Sequence, residues 1–252
     1  MDIQVIIKSW LGTDKNAAER DGTSFDRSSL MDSTREYLRE TEGYSPVPYP
    51  DNRSKSIGHG YRIADEEGYL DDKVDTARNI IPRLRNVPPG QWNINREEAA
   101  KLKNHYLENT VYPELRRRVR GFNRYPGEAQ KHMMSEWYRG LLGQSTDTLK
   151  HINKGDYRDA VDEYRDAKDW KKGEPGVKKR IGRLVMALAR LQGVHTPPPL
   201  ESRGQHKIQR GDTLSELARK WGTSVYDIQQ LNDIKDPAKI REGQTVEIPR
   251  SY

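Results

Sequence analysis

Apolar residues recur along most of the chain at the three-to-four spacing of an amphipathic helix. A first helix is predicted by such a run, whose apolar or inward-facing positions are Leu30, Met31, Thr34, Tyr37, Leu38 and Thr41. We expect Asp32 or Ser33 to cap its start, because short polar side chains satisfy free backbone N–H groups there. Gly43 is expected to end it in the left-handed conformation that glycine tolerates.

Further helices follow the same periodicity, and one short segment indicates strands. Residues 61–63 are predicted to complete a small antiparallel sheet. Asn95 and Glu98 form the sequence signature of a capping box, which marks the start of another helix. A strongly amphipathic last helix is predicted over 177–191. The pattern as a whole predicts an α+β fold that is mainly helical.

Two carboxylates and a hydroxyl lie between the first helix and the sheet. Glu42 falls at the negative end of the helix dipole and near tyrosines, a setting that favours the protonated carboxyl. Asp51 falls in a polar turn segment, where the ionised form is favoured, and Ser56 follows just before two glycines. Each feature alone is common in structural roles. Two carboxyls in opposite settings are typical of glycoside hydrolysis.

The ordered set of residues resembles the motif of the phage-type lysozymes, a muramidase family. The motif is carried here by Glu42, Gly43, Tyr49, Asp51, Ser56, Ile57, Gly58 and Gly60. The resemblance implies that Glu42 is the catalytic acid and that Asp51 and Ser56 hold the attacking water. Two departures stand out: the hydroxyl is serine where the family has threonine, and the segment before it is one residue shorter than in the family's best-known member.

The resemblance extends more weakly over 32–194. It places a helix containing Trp137 and Tyr138 behind the cleft, where these two side chains would bind substrate together with Tyr49. Both aromatic residues serve equally well as plain core residues, so the two interpretations stay open.

Residues 206–250 have the order strand, helix, helix, strand and closely resemble the LysM carbohydrate-binding module. The matching residues are Gly211, Asp212, Thr213, Leu214, Asn232, Ile240, Gly243, Gln244, Ile248 and Pro249. The resemblance implies binding of N-acetylglucosamine in peptidoglycan or chitin through two loops. The loop residues are Gly211, Asp212, Thr213, Asp233, Ile234 and Lys235.

These patterns divide the chain into four segments. Residues 1–30 are an N-terminal extension, either a flexible leader or a docking arm; 31–194 form the lysozyme-like domain. Residues 195–205 form a proline-rich linker, predicted to be a stiff spacer, and 206–252 form the LysM module.

Composition narrows the class of protein. The 252 residues carry a net charge of +6, which favours an anionic partner such as an acidic cell wall. There is no cysteine, and the six histidines lack metal-ligand spacing, so we expect neither a metal nor another cofactor. No nucleic-acid motif accompanies the basic residues. The only apolar run near the N-terminus, residues 5–7, is too short for a signal peptide or a membrane anchor.

The sequence therefore predicts a glycosidase that cleaves the β-1,4 bond between N-acetylmuramic acid and N-acetylglucosamine, with inversion. Without a signal peptide, the protein would be made in the host cytoplasm and reach the periplasm or wall by lysis or on a virion. One alternative is a structural phage tail or baseplate component, docked through 1–30 or through the LysM module. Another is a hydrolase of chitin.

Overall fold

The fold was obtained as a computed structural model that describes residues 26–51, 54–65, 70–166, 175–193 and 195–250, with only the backbone of 166 and 175–180. Of the predicted N-terminal extension, 1–30, residues 1–25 lie outside this range, and residues 26–30 form the start of the first helix. Residues 52–53, between Asp51 and Ser54, also lie outside it.

The described chain has an α+β fold that is mainly helical, as predicted. The helices of the larger, N-terminal part are α1 (Arg27–Thr41), α2 (Lys73–Ile80), α3 (Arg96–Tyr106), α4 (Tyr112–Arg118), α5 (Gly127–Tyr138), α6 (Leu141–Gln144), α7 (Thr146–Lys154), α8 (Tyr157–Asp166) and α9 (Pro175–Ala189). Its strands are β1 (Ser45–Asp51), β2 (Ser54–Gly58) and β3 (Tyr61–Asp65). The C-terminal part consists of β4 (Ser202–Lys207), α10 (Leu214–Trp221), α11 (Val225–Leu231) and β5 (Thr245–Pro249).

Helix α1 begins before the predicted caps, with a first turn over residues 26–29. Asp26, rather than Asp32 or Ser33, is its N-cap, and its carboxylate accepts a 2.9 Å hydrogen bond from the Ser29 N–H. The apolar pattern missed this turn because its side chains face solvent. The helix also ends differently, since Glu42 is the C-cap with an extended backbone and Gly43 does not adopt a positive φ.

The three strands form one antiparallel sheet in the order β1-β2-β3, which confirms the small sheet expected around 61–63. Tyr49 of β1 lies opposite Ser56 of β2. Gly58 ends β2 with φ +65°, and a Cβ there would lie 2.8 Å from the Cβ of Ala99. Glycine at this position therefore lets the sheet lie directly against α3.

Two hydrophobic cores lie side by side in the N-terminal part. One is packed under the sheet and includes Ile57, Trp92 and Leu102, and the other is helical and surrounds α5. The predicted capping box of Asn95 and Glu98 is present and starts α3. Helix α3 continues through a π-helical turn into α4, so one run of helix crosses from the first core to the second.

The C-terminal part has the predicted order of strand, helix, helix and strand. Thr213 and Ser224 cap the two helices, and Gly222 ends the first of them in the left-handed conformation. Its first strand, however, is β4 at Ser202–Lys207, earlier than predicted, because it pairs antiparallel with β5. The predicted linker therefore overlaps this strand, and only the residues before Ser202 connect the two parts.

The proline segment lies on the surface of the N-terminal part instead of spanning open solvent. Pro197 and Pro198 are buried. Cβ atoms at Gly155 and Gly121 would meet these rings at 3.0 Å and 2.5 Å, respectively. The ring of His195 lies 4.1 Å from that of Tyr125, between centroids. None of the described helices is long and apolar enough to cross a lipid bilayer.

Candidate active site

Glu42 lies immediately after α1, where the chain turns toward the sheet. Its backbone N–H completes the last turn by donating to the Leu38 carbonyl at 2.9 Å. Its side chain is 15% exposed and faces the guanidinium of Arg139 at the end of α5, whose Nε donates to Oε1 at 2.6 Å. The carboxylate is thus fixed by a cation that comes from a distant part of the chain.

Arg139 connects Glu42 to the helical core. Its Nη1 donates to Glu136 at 2.8 Å, and its Nη2 donates to the Thr41 hydroxyl at 2.9 Å. Glu136 is also held by the Tyr164 hydroxyl at 3.0 Å. Burial opposes the charge on this guanidinium, but the carboxylates of Glu42 and Glu136 outweigh it and raise the pKa of Arg139.

This guanidinium was not predicted from the sequence, and it changes the setting of Glu42. The helix end and nearby tyrosines were expected to surround the carboxyl, whereas the structure places it in a largely buried ion pair with Arg139.

Asp51 and Ser56 lie on neighbouring strands. The sequence had predicted a turn for Asp51 and a position just before a strand for Ser56. Asp51 is the last residue of β1, and Ser56 lies within β2. The buried Ser56 hydroxyl donates to Asp51 Oδ2 at 2.9 Å. Because the hydroxyl hydrogen is used in this bond, the Ser56 oxygen retains lone pairs that can accept from a water molecule.

The charges of both Glu42 and Asp51 act on the side chain of Tyr49. Burial raises the pKa of Tyr49, and the negative charges of Asp51 and Glu42 raise it further. Its phenol is therefore neutral near pH 7. The same ring is therefore affected by the negative charge of both Glu42 and Asp51.

Tyr138 and His59 join this site to the core. The Tyr138 hydroxyl donates to the His59 carbonyl at 2.6 Å, which ties α5 to the turn after β2. His59 Nδ1 lies 2.9 Å from the Gly43 carbonyl oxygen, so this nitrogen carries the hydrogen. Burial lowers the pKa of His59, which keeps the ring neutral near pH 7.

Trp137 points to a different region of the molecule. The guanidinium carbon of Arg118 lies 5.0 Å from the centroid of its ring, which also packs beside Gly143. Its side chain is 7% exposed. Tyr138 thus belongs to the site through its bond to His59, whereas a substrate-binding role for Trp137 stays a prediction without geometric support.

The predicted sugar-binding loops of the C-terminal part are largely exposed. Asp212 is engaged within its own loop, accepting from Gln209 N–H and from His206, both at 2.8 Å. Thr213 caps α10. In the second loop, Asp233 adopts φ 51°, and the Ile234 carbonyl accepts from Gln229 at 3.0 Å. Lys235 is exposed, and sugar contacts by these residues stay predictions.

A histidine and two aspartates meet on the surface at α7 and α8. One potential ligand atom each from His151, Asp156 and Asp159 lies within 4.8 Å of the others. Both aspartates are exposed, and exposed acidic groups of this kind commonly occur without a metal. The cluster does not by itself make a metal site.

Comparison with known proteins identifies the C-terminal part. Residues 206–249 match the LysM domain model, so the chain carries a LysM domain there, as the sequence predicted. The chain is 30% identical over 119 residues to the endolysin of Bacillus phage B103, which covers 43% of this chain and 44% of that protein. It is 38% identical over 50 residues to the N-acetylmuramoyl-L-alanine amidase XlyB of Bacillus subtilis (strain 168), covering 20% and 16%.

A further match is the endolysin of Bacillus phage PZA, 42% identical over 48 residues, or 19% of each chain. The chain thus spans less than half the length of the curated relatives it matches. These comparisons relate it to proteins named as endolysins and amidases, and they leave open which bond this chain cleaves.

We predict that Arg139 is required for stability, because its loss leaves Glu42 and Glu136 facing each other without a cation. Arg139→Met should lower the free energy of unfolding by about 3–5 kcal/mol, the usual cost of breaking a buried ion pair. Urea unfolding followed by tryptophan fluorescence measures this.

Arg39→Met is the matched control. Arg39 is 68% exposed and pairs with Glu36 on α1, so its loss should change stability by no more than about 0.5 kcal/mol. Equal stability of the two variants would show that the Arg139 contacts carry no net stabilisation.

Proposed function

We propose that this protein is a peptidoglycan hydrolase, and specifically a muramidase that cleaves the β-1,4 bond between N-acetylmuramic acid and N-acetylglucosamine. The observation that carries the proposal is the hydrogen bond of Ser56 to Asp51 across two strands, beside Tyr49, a ring on which the charges of both Asp51 and Glu42 act. Two carboxyls in different surroundings, one held by a guanidinium and one by a hydroxyl, suit a general acid and a general base.

In this mechanism Glu42 gives its proton to the oxygen that leaves the sugar. Asp51 accepts a proton from a water molecule whose oxygen forms the new bond to the anomeric carbon. The Ser56 oxygen can accept the second hydrogen of that water, because its own hydrogen is used in the bond to Asp51. The sugar configuration is then inverted, and the two carboxyls must lie roughly 6.5–9.5 Å apart to leave room for the water.

Arg139 has a consistent place in this cycle. In the free protein its Nε donates a hydrogen bond to Glu42 Oε1. The guanidinium, still held by Glu136, then stays in position to receive the Glu42 carboxylate after proton transfer. Arg139 therefore acts as a positioning residue.

The LysM domain supports the choice of substrate. A module that binds wall glycan raises the local concentration of the enzyme on an insoluble polymer without taking part in the chemistry. The relatives named as endolysins agree with action on the bacterial wall. Attachment to phage tail proteins, through residues 1–30 or through the LysM module, stays a prediction.

The second candidate is an N-acetylmuramoyl-L-alanine amidase, because two matched proteins carry that name. Those matches cover only 20% and 16% of this chain. The match to the B103 endolysin is longer, at 43%. An amidase would release an amino group from the peptide, whereas a muramidase would release a reducing sugar.

We predict that Glu42→Gln abolishes lysis of bacterial walls, because glutamine cannot supply the proton. Loss of a general acid reduces the rate by about 10²–10⁴. Turbidity of a wall suspension measures the rate, and circular dichroism checks the fold. Glu40→Gln is the control, since Glu40 is an exposed neighbour on α1. More than a few per cent of wild-type activity in Glu42→Gln would exclude Glu42 as the acid.

We also predict a graded response at the second carboxylate. Asp51→Asn should reduce the rate by about 10²–10⁴ because the water loses its base. Ser56→Ala should cost less, and Ser56→Thr should retain activity because it keeps the hydroxyl. Proton NMR of the first product reports the anomer. Retention of configuration would contradict the water-activating roles of both residues.

A further inference from the structure

A cleft of about 310 Å³ lies between the N-terminal part and the LysM domain. One wall comes from α4 and α7 and includes Arg117, Arg118 and Lys150, and the other comes from α10 and α11 and includes Arg219 and Tyr226. None of the residues of the candidate active site lines it. Its volume is at the lower end of the range for ligand sites, which often form where two domains meet.

The contacts beside the cleft fix its two walls relative to each other. Arg120 Nη2 donates to Asp227 Oδ1 at 2.7 Å, and the two side chains are only 12% and 6% exposed. Arg117 Nη1 donates to the Thr223 carbonyl at 3.2 Å. With Pro198 packed against Gly121, these contacts hold the LysM domain in one orientation. The cleft is therefore preformed.

The charge of the cleft is strongly positive. Four cations line it, and none of the lining residues is acidic. Two of the cations have partners outside the lining, since Arg117 pairs with Glu114 at 2.5 Å and Lys150 with Asp147 at 2.6 Å. Arg219 is exposed on the opposite wall and has no acidic partner in the described part of the chain.

Arg118 shows that these cations crowd one another. Its guanidinium lies over the Trp137 ring, and its Nη1 donates to the Gly143 carbonyl at 2.9 Å, so it pairs with no carboxylate in those contacts. Burial lowers the pKa of Arg118, and the charge of Arg117 lowers it further. An anion in the cleft would offset this repulsion, and the side chains of Tyr226 and Gln229 could hydrogen-bond neutral groups next to the anion.

We propose that this cleft binds an oxyanion-bearing segment of the cell-wall polymer between the catalytic part and the LysM domain. The choice of a wall polymer rests on the proposed function. The oxyanion is either a carboxylate of the peptide stem or a phosphate of a wall phosphodiester polymer. A segment held there would be bound by both parts at once, which a freely tethered module could not achieve.

The test measures binding to the full chain by isothermal titration calorimetry with three probes. A muramoyl tripeptide supplies carboxylates, a glycerol phosphate trimer supplies phosphates, and neutral chitotriose is the uncharged probe. The variant Lys150→Gln/Arg219→Gln removes one cation from each wall. Both residues are solvent-accessible, with the Lys150 side chain 43% exposed, so the fold should be retained.

Lys154→Gln/Arg241→Gln is the matched control, because it removes the same charge from exposed positions that do not line the cleft. We expect the first variant to weaken binding of an anionic probe about tenfold or more, since it removes a charged hydrogen-bond donor from each wall. The control pair and chitotriose binding should change little.

The anionic probe that responds identifies whether carboxylate or phosphate is the natural group. If neither anionic probe binds the wild type, or if both double variants weaken binding equally, the proposal is wrong. None of these readouts depends on catalysis. A failure of the muramidase assignment would therefore appear in the Glu42→Gln assay and not here.

Discussion

The ion pair between Arg139 and Glu42 is the contact on which the arrangement of the candidate site depends most. It connects the end of α1 to the end of α5, two elements that lie 97 residues apart in sequence. On its other side the guanidinium is held by Glu136, which Tyr164 anchors in the helical core. Tyr138, the residue before Arg139, donates a hydrogen bond to the His59 carbonyl in the turn after β2. The position of the acid relative to the sheet is thus set by the helical core.

A buried ion pair also fixes the orientation of the two parts of the chain at their junction. A buried ion pair such as Arg120–Asp227 contributes little net stability, because both charges lose their hydration. It does specify orientation, since a shifted domain would leave each charge buried and unpaired. Together with the packed prolines, it fixes the LysM domain relative to the N-terminal part. Wall glycan bound to that domain would then lie in a defined direction relative to the cleft.

Local patterns in the sequence predicted those features that depend on neighbouring residues. The capping box at Asn95 is present because it involves residues only three positions apart. The LysM domain was identified because its whole motif lies within one short segment. The start of α1 was missed because Asp26 caps a turn with no apolar face, and Gly43 does not end the helix because Glu42 leaves it in extended conformation.

Contacts between distant residues could not be predicted in the same way. No spacing rule relates Arg139 to Glu42, and a single arginine at the end of a helix does not reveal its partner. Asp51 was expected on a turn because its proline and asparagine neighbours favour one, yet pairing with β2 extends the strand to include it. The proline segment was expected to act as a spacer, since its sequence cannot reveal that Gly121 and Gly155 leave space for its rings.

The identity of the bond that is cleaved tests the central claim most directly. Purified peptidoglycan would be digested with the full chain, reduced with borohydride and analysed by mass spectrometry. The account predicts fragments that end in reduced N-acetylmuramic acid, with the peptide stem still attached to the lactyl group. Free peptides with a new L-alanine amino group and intact glycan strands would instead show an amidase and contradict the roles assigned to Glu42, Asp51 and Ser56.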